Sequence, residues 1–455
     1  MPLESINPAT GELLERFREL STAQVEASVL KAHKAFCSWR QTGFSERARP
    51  LLRVAGRLRS EKEALARLMT LEMGKPILQA ISEIEKCALV CDHYAEHAEA
   101  MLAPEIIAAA AAASYVRFEP LGVILAVMPW NFPFWQVFRF AASALMAGNV
   151  CLLKHASNVQ GCAAAIEEIF RQAGFSEHVL TNLRVGSDRV AALIAEPLVR
   201  AVTLTGSDQA GRQVAAAAGA HLKKTVLELG GSDAFIVLAD APLKECVAAA
   251  VSSRMINNGQ SCIAAKRFIV EAAILPAFQK EFVAAVAALK TGDPLDPSND
   301  LGPLARADLL EELERQVEES VRRGASILTG GKRLGREPGF YFQPTILADV
   351  APAMPAYHEE LFGPVAALIT ARDEDDALRI ANDTSFGLGA SVWTQNKARG
   401  EKLAAAIEAG TVYINGMVKS DPRLPFGGVK MSGFGRELSH YGIKEFMNIK
   451  TIVIS

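Results

Sequence analysis

The chain is 455 residues long, half of them hydrophobic and 22% charged, with a formal net charge of -3. That length exceeds what one hydrophobic core supports and predicts two or three domains. The near-neutral balance, with no basic block, gives nucleic acid no electrostatic footprint, and seven cysteines without a CxxC pair argue for a reducing, cytoplasmic setting.

The opening MPLESINPATGELLERF has no positive n-region followed by an apolar h-region, so it is not expected to be a signal peptide. Helical periodicity dominates from residue 21 to about 100, as in STAQVEASVLKAHKAF and SERARPLLRVAGRLRSEKEALARLMTLEM. Within it HYAEH, at 93–97 and close to Cys91, matches the H-x-x-E-H pattern of some zinc proteases. His93 and His97 would share a helix face, but AEHAEA reads as a solvated face with no third ligand, so no metal is expected. The run IIAAAAAA at 106–113 is far shorter than the roughly 20 residues of a spanning helix. It reads as a small-residue connector, and no membrane association is expected. Cys37, Cys87, Cys151, Cys162 and Cys246 are expected to be small buried hydrophobes.

A β-branched stretch, SYVRFEPLGVILAVMPW, occupies 114–130 and runs into a Pro-Trp-Asn-Phe-Pro turn and an apolar helix, FPFWQVFRFAASALMAG. Strand–helix units follow: CLLKHAS with CAAAIEEIFRQAG, VLTNLRVG with SDRVAALIAEP, and RAVTLTGS with DQAGRQVAAAAGAHL. This is the pattern of right-handed crossovers in a parallel sheet. A second set starts near TVLELGGSDAFIVL and continues through RFIVE, YFQPTIL, PVAALIT, ASVWT and TVYING, so Gly230–Gly231 is a candidate boundary between two α/β domains. The last segment, IKEFMNIKTIVIS, reads as an extended strand of the kind that pairs with another subunit.

Five stretches carry chemistry. INNGQSCIAAK sets Cys262 among small and amide side chains, where backbone amides can approach it. VMPWNFPFWQVFR places Asn131 in a rigid turn, LELGGSD puts Glu228 before a glycine pair, and HEELFGPV sets Glu360 beside Phe362. GSDQAG at 206–211 opens a helix after a strand, although G-x-G-x-x-G is absent and Arg212 stands where a P-loop needs Lys-Ser/Thr. Read plainly it is an N-cap at Ser207 or Asp208; read functionally, its helix N-terminus faces a pyrophosphate. Arg139 lies in a nearly apolar helix, where a cation wants an anionic partner.

With these motifs the chain resembles the aldehyde dehydrogenase superfamily, which oxidises aldehydes to acids with NAD or NADP. The resemblance runs from NPATGE at 7–12 to PFGGVKMSGFGRE at 425–437, in the family's order. It implies two doubly wound parallel-sheet domains, one Rossmann-like for the cofactor and one catalytic, plus a small β oligomerisation element. The expected limits are 1–113 and 126–229, 230–435, and 114–125 with 436–455. By the same resemblance Cys262 is the nucleophile, and the Asn131 amide with the Cys262 N–H supplies the oxyanion donors. Glu228 is the base that activates water on the thioester, which favours a free acid over transfer to coenzyme A.

The resemblance also implies a cofactor site of Pro129, Trp130, Lys154, Ser157, Gly206, Ser207, Gly211, Leu229, Gly230, Glu360 and Phe362. Glutamate often stands at position 157 in NAD-preferring members, whereas Ser157 leaves Lys154 to pair with a 2′-phosphate, so NADP is expected over NAD. Trp135, Arg139, Ser420 and Phe426 fall where succinate-semialdehyde dehydrogenases bind substrate. Some of those enzymes carry a second arginine six residues before the nucleophile. Here that position is Ile256, so the carboxylate site is expected to be differently built, and Arg254 cannot be assumed to substitute. Glutarate semialdehyde or uncharged aliphatic aldehydes are the alternative substrates. GQSC superficially resembles a papain-like segment, but Lys154 and GSDQAG speak against a cysteine hydrolase. A homo-oligomer, dimer or tetramer, is expected.

Overall fold

Unbroken apolar strands, rather than alternating ones, build the centre of a parallel sheet covered on both faces. VILAVM at Val123–Met128 and VCLLKH at Val150–His155 are such strands, almost wholly buried. The computed structural model describes residues 3–109, 112–335 and 338–455. Its six-stranded sheet runs in the order Gly433–Phe434, Lys224–Glu228, Val199–Thr205, Val123–Met128, Val150–His155, Leu180–Asn182, parallel except for the first pair. The chain enters at Val123–Met128, steps to one side, then returns to the other through Val199–Thr205. That reversal opens a crevice beyond the carboxyl ends of these two strands, where doubly wound sheets bind ligands. The helices Thr22–Trp39, Phe44–Ser60, Lys62–Met73 and Ile77–Met101 share one hydrophobic core with this sheet.

The second sheet runs Ser326–Thr329, Thr345–Ala348, Val365–Ala371, Ala265–Glu271, Asp233–Val237, Gly389–Trp393, Thr411–Ile414, with only the first pair antiparallel. Alternate residues feed two separate cores: Ala234 and Ile236 face one, Phe235 and Val237 the other. The chain passes from Glu228, at the carboxyl end of the first sheet, through Leu229–Ser232 to Asp233, at the amino end of the second. The two sheets therefore meet end to end.

A third, antiparallel sheet joins Glu105–Ile106, Ala113–Pro120 and Met447–Ile454. It leaves Ile106, Ile449, Val453 and Ile454 exposed. The expected limit at residue 125 falls inside a strand of the six-stranded sheet. The chain breaks instead at Leu121–Gly122, between Pro120 and Val123. Likewise, of the expected 436–455 segment only Met447–Ile454 joins this sheet, because Leu438, Ile443 and Phe446 are buried in the first core. Residues 110 and 111 of the expected connector lie outside the described residues.

One expectation is corrected. Cys37 is exposed, because the buried face of its helix runs through Val29, Ala32, Phe36 and Trp39 and the next residue turns away. Cys87, Cys151, Cys162 and Cys246 are buried. His93 and His97 do share a helix face, with ring centroids 4.8 Å apart, while the Cys91 thiol is buried in the core. No helix among the described residues is long and apolar enough to cross a membrane.

Candidate active site

The stretch around Cys262 is a backbone loop in which the carbonyls of residues 259–262 are held by buried side-chain donors. Asn257, Asn258 and Gly259 take three consecutive left-handed conformations, with φ of 53, 58 and 75°. Asparagine tolerates that region better than other side chains, and glycine best of all. A Cβ on Gly259 would meet the Gly363 carbonyl oxygen at 2.1 Å, so this turn also requires the bare backbone. Arg254 donates to the carbonyls of Gly259 and Ala265, Asn257 to that of Gln260, and Lys266 to those of Ser261 and Cys262 at 2.8 and 2.7 Å. With the carbonyls held behind it, the Cys262 N–H has no acceptor among the described residues. It is a preorganised donor beside the thiol.

Burial pushes the Cys262 thiol up to about 12, against the pull of the Lys266 and Arg139 cations. The thiol is therefore protonated at neutral pH, and its proton must leave before or as it attacks.

Asn131 is placed by the turn before the apolar helix Trp135–Met146. Its Nδ2 donates to the Gln260 carbonyl at 3.2 Å, and its own carbonyl accepts from Asn257 Nδ2 at 2.7 Å. These two bonds tie the asparagine turn to the cysteine loop from opposite sheets. His155, kept neutral because burial lowers it to about 4, bonds the Pro133 carbonyl through Nε2 at 2.9 Å and fixes the turn from behind. Glu83 accepts from the N–H groups of Phe134 and Trp135, and so caps the apolar helix with a carboxylate.

Glu228 ends its strand almost fully buried, and neither carboxylate oxygen has a hydrogen-bond partner among the described residues. Burial raises it well above the usual carboxylate range; Arg139 opposes the rise and Glu437 adds to it. Its carboxylate lies beside Gly427, next to Phe426 of the SDPRLPFGG segment.

A cavity of about 530 Å³ brings Cys262 together with Trp135, Arg139, Ser420 and Phe426. Its remaining wall includes Lys86, Phe132, Ile256 and Ile263. Arg139 is buried, ion-paired with Glu437, bonded to Thr205 Oγ1 at 3.2 Å, and stands 4.8 Å from the centroid of the Phe426 ring. The anionic partner expected for it is thus a side chain of the protein. Arg254 does not face this cavity; it is wholly buried and its two terminal nitrogens donate to carbonyls of the cysteine loop. Sequence reasoning missed Glu83 and Lys86, although Gln79, Ser82, Glu83 and Lys86 form a polar stripe at helical spacing on the helix Ile77–Met101.

The residues expected at the cofactor gather at the crevice of the six-stranded sheet. Pro129 and Trp130 follow Val123–Met128, Lys154 and Ser157 lie at the end of Val150–His155, and Gly206 and Ser207 follow Val199–Thr205. Ser207 caps the helix Asp208–Ala220 by accepting from the Ala210 N–H at 3.3 Å. Lys154 is 8% exposed and makes no ion pair among the described residues; burial lowers its pKa, offset only by Asp188. A buried ammonium facing a helix-lined crevice fits a phosphate-bearing ligand. Gly211 serves packing, since a Cβ there would strike Leu229 at 2.5 Å. Gly230 lies equally tight against the Glu360 carboxylate. Glu360 accepts from the Gly231 N–H at 3.0 Å and pairs with Lys266 at 3.2 Å, while the Phe362 ring meets Trp130 edge-on with centroids 5.7 Å apart.

A model of the aldehyde dehydrogenase family matches residues 1–452. The chain is 53% identical over 455 residues, covering 100% of both chains, to the probable succinate-semialdehyde dehydrogenase (NADP+) of Synechocystis sp.. It is 50% identical over 448 residues, 98% of this chain and 97% of the other, to the succinate semialdehyde dehydrogenase (NAD(P)+) Sad of Escherichia coli. Its fold matches the crystal structure of succinic semialdehyde dehydrogenase from Streptococcus pyogenes in complex with NADP+. The TM-score is 0.97 at 37% identity, with 99% of each chain covered.

Proposed function

The chain belongs to the aldehyde dehydrogenase family, and we propose on that footing that it oxidises succinate semialdehyde to succinate with NADP, accepting NAD as well. One observation carries the substrate: the cavity that holds Cys262 also holds a polar end made by Lys86, Arg139 and Ser420. The Cys262 thiol passes its proton to water as its sulfur adds to the aldehyde carbon, and the alkoxide that forms is held by the Cys262 N–H and the Asn131 amide. NADP, when bound, supplies the hydride acceptor. Oxidation at the same carbon leaves a thioester on Cys262. Glu228 then takes the proton from the water that hydrolyses it, a task suited to a carboxylate that burial has made more basic. Lys154 and the capped helix after Ser207 hold the phosphates, and Glu360 and Phe362 hold the nicotinamide end.

The test is NADPH formation from succinate semialdehyde, glutarate semialdehyde and butanal, repeated with NAD. A clear lead in kcat/KM for succinate semialdehyde supports the reading. Equal turnover of butanal would return the enzyme to small aldehydes in general.

Cofactor preference has its own test at Ser157. Ser157→Glu sets a carboxylate against the 2′-phosphate, and like charges at about 4 Å cost ~1–4 kcal/mol between bulk-water and protein-surface screening. KM for NADP should rise about tenfold or more while that for NAD stays level or falls. An unchanged KM for NADP would remove Ser157 from the 2′ site.

The molecule is a homo-oligomer in this reading, dimer or tetramer. Exposed Ile449, Val453 and Ile454 on the terminal strand Met447–Ile454 support it, since a long apolar edge of this kind favours pairing over solvent.

A further inference from the structure

Lys86 stands on the helix Ile77–Met101 and lines the cavity that holds Cys262. Its ammonium donates to Ser420 Oγ at 2.6 Å and sits 4.1 Å from the centroid of the Trp135 ring. It has no ion-pair partner among the described residues.

The other buried cations around the site are committed. Arg139 is ion-paired with Glu437, Lys75 with Glu83, and Lys266 with Glu360. Arg254 is spent on backbone carbonyls. Lys86, half-buried in the cavity wall, has no such partner among the described residues.

Its two neighbours fit an anion. The Ser420 oxygen accepts from Lys86, which leaves the hydroxyl hydrogen free to donate elsewhere. The Trp135 ring supports the cation through its face and shields it from water.

We propose that Lys86, with the Ser420 hydroxyl, seats the distal carboxylate of the aldehyde substrate and is the main source of its preference for an acidic aldehyde. This inference rests on the proposed function and adds to it a residue from a different helix. Lys86 takes over the work of the cation missing at Ile256. Arg139 acts mainly by anchoring Glu437 and Phe426.

The charge state of Lys86 adds a second signature. Burial, helped by Arg139 on the neighbouring helix, lowers it to about 8. Cys87 and Glu83 on its own helix and Asp421 on the facing segment oppose the shift.

The experiment measures the ratio of kcat/KM for succinate semialdehyde to that for butanal in wild type, Lys86→Met and Lys86→Arg. Because both substrates are turned over by the same folded protein, damage to the fold cancels in the ratio. In Lys86→Met the ratio should fall about 30- to 100-fold, the scale of a lost hydrogen bond to a charged group, and Lys86→Arg should restore most of it. In wild type the ratio should also decline as pH rises through about 8 to 9, as the free ammonium loses its proton. In Lys86→Arg it should stay level, because a guanidinium holds its charge. A ratio retained in Lys86→Met, or one level with pH in wild type, overturns the assignment while leaving the proposed substrate standing. A wild type without preference for succinate semialdehyde overturns both.

Discussion

Cys262→Ala should abolish aldehyde oxidation, with kcat falling ~10⁴-fold or more, as happens when a covalent nucleophile is removed. NADP binding should persist, because the lost sulfur acts on the aldehyde carbon while Lys154 and Ser207 stand at the far crevice. Steady-state turnover and the quenching of tryptophan fluorescence by NADP check the two halves separately. Retained turnover would place the chemistry on another group. A labelling experiment adds a check that needs no substrate. In wild type the half-buried Cys262 thiol, pushed up to about 12, should react with iodoacetamide at pH 7 more slowly than exposed Cys37. Peptide mapping separates the two sites, and the Cys262 rate should climb steeply as the pH is raised.

Glu228→Gln should divide the reaction into a fast first turnover and a slow remainder. The amide keeps the shape of the side chain but cannot accept a proton from water. A burst of NADPH close to one equivalent should precede a steady state slowed ~10²- to 10⁴-fold, the range for loss of a general base. If the burst is absent and the first turnover slows equally, Glu228 serves the attack instead.

The direction of the pKa shift adds a pH test. Burial raises Glu228, so the base form is lost as pH falls through a value well above the ordinary carboxylate range. Thioester hydrolysis in wild type should weaken on moderate acidification, while Glu228→Gln shows no such limb. Stability follows the same linkage with the opposite benefit. The folded state binds this proton more tightly than the unfolded chain, so wild type loses stability as pH rises from about 4.5 toward and through the raised value. The neutral glutamine escapes that loss. Glu228→Gln should therefore gain in Tm over wild type at pH 8 relative to its standing at pH 4.5.

The parts of the molecule legible in sequence are those where a local pattern and a chemical need coincide. VILAVM and the VCLL of VCLLKH read as buried strands because no polar residue interrupts the apolar run, and they form the middle of the six-stranded sheet. The glycines at 230 and 231 read as a boundary because the chain crosses there between sheets, against the Glu360 carboxylate and the Cys262 carbonyl. What stayed hidden depends on partners far apart in the chain. Nothing in FPFWQVFRFAAS announces that Arg139 will pair with Glu437, nearly 300 positions later. Lys86 sits in SEIEKCALV, where a lysine after glutamates suggests an ordinary solvated turn of helix. Only the packing of that helix over Trp135 turns it inward. Cys37 misled for a simpler reason: its neighbour Phe36 is on the buried face, and one residue later a helix has turned by about 100°.

The two ends of the cavity come largely from separate pieces of chain. The sulfur and its oxyanion donors are set by the 256–266 loop and the Asn131 turn, each bolted to the other through backbone carbonyls. The far end is contributed by one stripe of the helix Ile77–Met101, by Trp135 and Arg139, and by the segment from Met417 to Phe426, and none of these supplies an atom to the bond-making steps. Natural drift and laboratory selection can therefore rewrite which aldehyde is taken while inheriting the oxidation intact. A library confined to Gln79, Ser82, Lys86 and residues 417–420 samples new substrates at nearly constant chemistry, whereas the same diversity spread over 256–266 yields mostly inert protein.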